Sequence, residues 1–173
     1  MSDETKVAMH PTATVVRRRV TIDVDQDRAF DVFTAGIATW WPPEHHIGDS
    51  PMKSIAIEPK VGGRCYTVSE DGSEVTWASV LAWEPPSRLV IGWHITAEWQ
   101  CDPNFVTEVE VTFTPHGEGR TLVSLEHRDL DRYGDAEADM FAALDSDGGW
   151  PGSLRRFAAA AEGRDVARES EGA

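Results

Sequence analysis

The chain is poor in cysteine, poor in basic residues relative to acidic ones, and free of long apolar runs. Its two cysteines, Cys65 and Cys101, form no C-x-x-C pair, and neither lies at ligand spacing from a histidine. This leaves no basis for a disulfide framework or a thiolate zinc site, and two unpaired thiols suit a reducing compartment. Lys plus Arg number 16 against 30 Asp plus Glu, a formal net charge of −14. Such a surface repels phosphate backbones and anionic headgroups, so neither nucleic acid nor a membrane is an expected partner. No stretch approaches the ~18 apolar residues that would cross a bilayer. The opening Met1-Ser2-Asp3-Glu4-Thr5-Lys6 is polar, so no signal peptide is expected and the expected location is cytoplasmic.

Catalytic signatures are missing too. There is no G-x-S-x-G, no Gly-x-Gly-x-x-Gly and no P-loop. His45-His46 with Glu44 and Asp49 invites a metal reading, but adjacent residues rarely ligate one ion and no third ligand has diagnostic spacing. Asp23-x-Asp25-x-Asp27 has Arg28 where a calcium loop needs glycine, and Asp129-x-Asp131 has Met140 where it needs glutamate. No metal and no cofactor are expected.

What is present is a regular alternation of short elements. At 173 residues, 40% of them hydrophobic, the chain fits one domain that buries its own core. Residues 1–13 and 164–173 read as polar tails flanking a body at 14–163. Val16 to Val24 alternates apolar and polar, the pattern of a half-buried strand. Asp25 is placed to cap a short helix carrying Ala29, Phe30 and Phe33, and a second short turn carries Ile37, Trp40 and Trp41. Six further strands are predicted at 54–58, 64–69, 75–84, 88–94, 107–114 and 121–127, joined mostly by tight turns. A short helix around 136–144 precedes a longer one at 150–161. In the latter Trp150, Leu154, Phe157 and Ala161 share a face, and Gly163 stands beyond it as a C-terminal cap. One apolar helix stripe and one wet-faced antiparallel meander must bury each other. The expected fold is therefore α+β: a curved antiparallel sheet of six to seven strands wrapped around a long C-terminal helix, with two short helices after the first strand.

Several strings carry a resemblance: Val20-Thr21-Ile22-Asp23-Val24 with Ala29-Phe30, Trp40-Trp41-Pro42, Val61-Gly62-Gly63-Arg64, Val80 to Val90 with its Trp83-Glu84-Pro85-Pro86-Ser87-Arg88 core, His127, and Gly149-Trp150. In this order and spacing, over roughly 15–163, the chain resembles the START-like (SRPBCC, helix-grip) superfamily. Within it, it is similar to single-domain bacterial relatives of the activator of heat-shock protein 90 ATPase. The resemblance implies a cavity between sheet and helix. It says little about activity, because this fold hosts carriers, sensors, polyketide cyclases and chaperone regulators. The eukaryotic chaperone activators carry an additional N-terminal domain for which this chain has no room.

Strand parity sorts the candidate residues. With Val109, Val111 and Phe113 facing in, the glutamates of that strand face water. On the last strand Val123, Leu125 and His127 face in and Glu126 does not. Leu89, Ile91 and Trp93 face in, sending His94 outward, while Trp77, Ser79, Leu81 and Trp83 share one face provided the strand has no bulge. The expected cavity set is Phe30, Trp40, Trp77, Ser79, Trp93, His127, Trp150 and Phe157, aromatic with few polar groups, as small-molecule pockets are. Three functions suit such a set: binding of a small hydrophobic ligand, aromatic or lipid-like; a protein-interaction module with a partner such as a chaperone; or a cyclase- or hydrolase-type enzyme in which His127 moves a proton. Whether the chain is an enzyme is left open by these residues.

Overall fold

The computed structural model describes residues 14–167. Strand β1 (Val16–Ile22) leads into helix α1 (Gln26–Phe33). Asp25 caps that helix, its carboxylate accepting from the Arg28 amide at 2.9 Å. A 3₁₀ turn (Ile37–Thr39) comes next, and the Trp40 indole donates to the Val32 carbonyl at 2.9 Å, tying the turn back onto α1. Then come β2 (Met52–Ile57), β3 (Arg64–Ser69), β4 (Glu74–Glu84), β5 (Arg88–Trp93), β6 (Thr107–Pro115) and β7 (Thr121–Arg128). A 3₁₀ stretch (Leu130–Ala136), α2 (Glu137–Leu144) and α3 (Trp150–Ala161) complete the described chain.

The seven strands form one antiparallel sheet in the order β1-β7-β6-β5-β4-β3-β2. Only the β1–β7 pairing joins elements distant in sequence; every other neighbour is the next strand along the chain. The sheet curls around α3, whose Trp150, Leu154, Phe157 and Ala161 are all buried against it, so the fold is the expected helix-grip α+β architecture. Phe157 meets Phe33 and Trp40 at ring-centroid distances of 5.1 and 5.6 Å, which locks α3 to α1. Gly163 ends α3 with φ +74°, and the Arg164 amide reaches back to the Ala159 carbonyl at 2.7 Å. A side chain there would have to adopt the left-handed region at a cost that glycine escapes.

Two features depart from simple alternation. Between β3 and β4 the register steps from Cys65↔Ala78 to Tyr66↔Thr76, leaving Trp77 as the extra residue of a bulge. Between β4 and β5 it steps from Val80↔Ile91 to Ala82↔Val90, making Leu81 a second extra residue. Each bulge inverts the faces of the residues beyond it. As a result Ala78 and Val80 point into the core, while Ser79 opposes Gly92 on the outer face. Of the expected tails, residues 1–13 and 168–173 lie outside the described residues; Arg164 to Ala167 are described, and Val166 packs against the core.

Candidate functional site

Under one end of α3 the sheet and its flanking loops enclose a cavity of about 840 Å³. Its innermost wall is indole. Trp41, two residues beyond the 3₁₀ turn, stacks on Trp77 of β4 at 5.0 Å and 25°. Trp77 meets Trp93 of β5 edge-on at 5.7 Å, Trp93 meets Trp150 of α3 at 5.6 Å, and Trp150 returns to Trp41 at 6.1 Å. Trp77, Trp93 and Trp150 come from three different elements and Trp41 from the loop after the 3₁₀ turn, so the circuit exists only in the folded chain. All four line the cavity. The bulge at Trp77 is what places that ring beside Trp41 while still letting Ala78 fill the core behind it.

The rim is polar and acidic. The Glu44–Asp49 loop, Trp99, Gln100, Gly148, Gly149 and Ser153 all contribute to the lining. Trp99 is 44% exposed and holds φ +59°, a left-handed conformation that a bulky residue rarely adopts. His45 sits on this rim. Burial lowers its pKa from the ordinary value, the Glu44 carboxylate opposes that, and the Arg156 guanidinium adds to it. Among the described residues no three His, Cys, Asp or Glu side chains converge to hold a metal ion.

Among the described residues, four buried polar side-chain atoms have no hydrogen-bond partner: His46 Nδ1, Thr67 Oγ1, Trp77 Nε1 and Trp93 Nε1. All four belong to residues that line the cavity. Trp93 Nε1 lies close enough to the Tyr133 hydroxyl to influence it, without the geometry of a bond. The other indoles of the cluster are satisfied: Trp40 by Val32, Trp41 by the His45 carbonyl at 2.8 Å, and Trp150 by His127 at 3.1 Å.

Of the eight residues expected to form the cavity, Trp77, Trp93 and Trp150 line it. Phe30, Trp40 and Phe157 are core instead. Phe30 packs on Trp83 and Phe113, and Trp40 and Phe157 are both fully buried. Ser79 is on the outer face because of the Trp77 bulge; its hydroxyl bonds His94 Nε2 at 2.7 Å. His94 does leave the inner face as expected. It is nevertheless buried, because the connection from Thr96 to Val106 folds over it and Phe105 offers its carbonyl to Nδ1 at 3.0 Å. His127 lies beneath the indoles rather than among the lining residues, with no exposed surface. Trp150 Nε1 donates to its Nδ1, so the proton sits on Nε2, which donates to Thr107 Oγ1 at 2.8 Å. Burial pulls its pKa down to about 3. A neutral imidazole with both nitrogens engaged has no free site for a substrate proton.

The lining also includes Trp41, His45, His46, Thr67 and Ser153, none of which is expected there from the sequence. Thr67 is within reach of parity, since it alternates with buried Cys65 and Ser69 on β3. The two histidines lie in an aperiodic loop, where parity has no meaning.

The geometry has counterparts among known proteins. An anthrahydroquino-γ-pyrone synthase, Txn09, shares 40% identity over 83% of this chain and 94% of its own, with a TM-score of 0.60. CalC from Micromonospora echinospora, described as a self-sacrificing resistance protein, shares 32% identity over 87% of this chain and 96% of its own, with a TM-score of 0.65. The Aha1 dimer from Colwellia psychrerythraea is 17% identical over 86% of this chain and 96% of its own, with a TM-score of 0.57, a likeness of fold alone. Comparison with curated proteins returns no match. The family model for Activator of Hsp90 ATPase homolog 1-like proteins matches residues 23–162, and the chain belongs to that family.

Proposed function

We propose that this protein binds a flat aromatic small molecule in the cavity beneath α3. The observation that carries this reading is the circuit of Trp41, Trp77, Trp93 and Trp150 around that space. A volume of about 840 Å³ is within the range that holds drug-sized molecules. Indole walls favour planar guests through offset and edge-on contacts, each worth about 0.5–1.5 kcal/mol beyond area burial. Of the two relatives above 30% identity, the synthase supports the same class through the planar aromatic product in its name. One is named for making an anthrahydroquino-γ-pyrone and the other for self-sacrificing resistance, so their roles differ while the fold is common. What this chain shares with them is the fold, and the indole-lined cavity is read from its own residues.

A cyclase-type reading has one observation in its favour: His45 and His46, unlike His127, line the cavity. Such chemistry would run through the rim histidines. A chaperone-directed reading rests only on family membership and on a fold likeness at 17% identity.

Tryptophan fluorescence tests the proposal directly. Titration with planar three- and four-ring aromatics should quench the indole emission and raise the melting temperature. Trp93→Ala should weaken binding at least tenfold, and Phe157→Ala should lower stability without a comparable loss of affinity. No quenching and no thermal shift across such a panel would refute it.

A further inference from the structure

Of the chain's seven tryptophans, Trp40, Trp41, Trp77, Trp83, Trp93 and Trp150 each meet another aromatic ring. Trp99 meets none among the described residues, and 44% of it is exposed. An exposed apolar side chain by itself needs no explanation, but one held in a strained backbone does. Ile95 and Cys101 bridge across a tight hairpin tip. Inside it the Trp99 amide donates to the Thr96 carbonyl at 2.9 Å, and the Thr96 amide donates to the Gln100 carbonyl at 2.8 Å. Trp99 closes that four-residue turn with φ +59°. Hairpins of this form place glycine or asparagine at the left-handed position, because larger side chains crowd the backbone there. A bulky aromatic stores strain at that point, and this one adds little packing to the fold.

The strained position coincides with the cavity. Trp99 lines it together with Trp41, Trp77, Trp93 and Trp150, which are only 4–8% exposed, so Trp99 is the lining indole on the solvent side. The hairpin tip is also tied in place. The Thr96 hydroxyl accepts from the Gln100 amide at 3.3 Å, and the Ile95 carbonyl accepts from the Tyr133 hydroxyl at 2.8 Å. A ring presented on such a frame loses little freedom when it meets a guest. Resting on the ligand-binding reading above, we infer that Trp99 is a ligand-contacting cap. Its accessible face stacks on a planar guest at the cavity mouth, and the left-handed turn holds the ring there for that contact. The inner indoles accept the guest, and Trp99 slows its escape.

The test uses acridine, a planar three-ring fluorophore whose own emission reports binding in variants that lack a tryptophan. Trp99→Gly should bind acridine about tenfold more weakly, with the loss falling on the dissociation rate. The same variant should raise the melting temperature of the ligand-free protein by about 2 °C, because the strain is relieved and no ring packing is lost. Trp99→Asn, also suited to a left-handed backbone, should show both effects. Trp99→Phe keeps a ring and the strain, and should bind within about threefold of the wild-type protein at an unchanged melting temperature. A lower melting temperature in both Trp99→Gly and Trp99→Asn would make the ring part of the fold. Unchanged affinity in those two variants, or a loss in Trp99→Phe as large as in Trp99→Gly, would remove the stacking contact. Each of these results overturns the cap and leaves the ligand-binding reading standing. If neither acridine nor any other planar aromatic binds the wild-type protein, that reading and the cap fall together.

Discussion

Two hydrogen bonds and full burial make His127 a neutral strut between β6, β7 and α3. Its pKa of about 3 has a consequence for stability. An unfolded chain takes up a proton at this residue below about pH 6.5, whereas the folded chain does so only near pH 3. Between those values the unfolded state binds more protons, so stability falls as pH falls, by up to about 1.4 kcal/mol per pH unit. His45, also lowered, contributes in the same direction. The depressed carboxylates, Glu110 held down by Arg128 and Arg88 among them, act in a lower window. Urea midpoints measured from about pH 7 to about pH 4.5 should therefore decline, and His127→Gln, which can still accept from Trp150 and donate to Thr107, should flatten that slope. An unchanged slope would mean that His127 takes up its proton at the same pH in the folded and unfolded chain. Parity alone places this residue on the inner face. It cannot show that Trp150, 23 residues away, occupies its second nitrogen.

At the scale of elements, the ends of β3 and α3 and the identity of every strand are readable from alternation, caps and turn residues. The faces of β3, β6 and β7 obey alternation throughout, which is why Val109, Val111, Phe113, Val123 and Leu125 all lie in the core. β4 is different because its two bulges fall at Trp77 and Leu81, residues with no local signal for an irregular backbone. That is what moves Ser79 across the sheet. Its hydroxyl fixes His94 beneath the Thr96–Val106 connection, whose tip, Trp99, borders the cavity mouth. Ser79→Ala should cost about 1 kcal/mol of stability and speed amide exchange across residues 94–106, with no loss of affinity for an aromatic ligand. A tenfold loss of affinity would return Ser79 to the cavity wall. The site's loop residues, His45 and His46, are beyond reach for a simpler reason. Only tertiary packing decides where a stretch without periodicity points.

For the molecule as a whole, Cys65 is a natural gauge of cooperative opening. It has no exposed surface, and burial, with a smaller contribution from Glu58, pushes its thiol up to about 12. Cys101 is only half-buried. Alkylation at neutral pH should modify Cys101 in the folded state and Cys65 only through global unfolding, at a rate that rises with urea in step with the unfolding equilibrium. Early labelling of Cys65 would reveal a local opening of the β2–β4 end of the sheet. The opposite end is held by β1 on β7, where Val16 pairs with His127. A growing chain emits β1 before any other strand of the sheet and must then hold it without a partner until β7 has been made. At ~5–20 residues per second that is roughly ten seconds of synthesis, and the indole circuit waits longer still for Trp150. On the ribosome this domain passes through a stage with an exposed, half-apolar strand, so the demand for protection by the folding machinery is greatest before the indole-lined cavity exists at all.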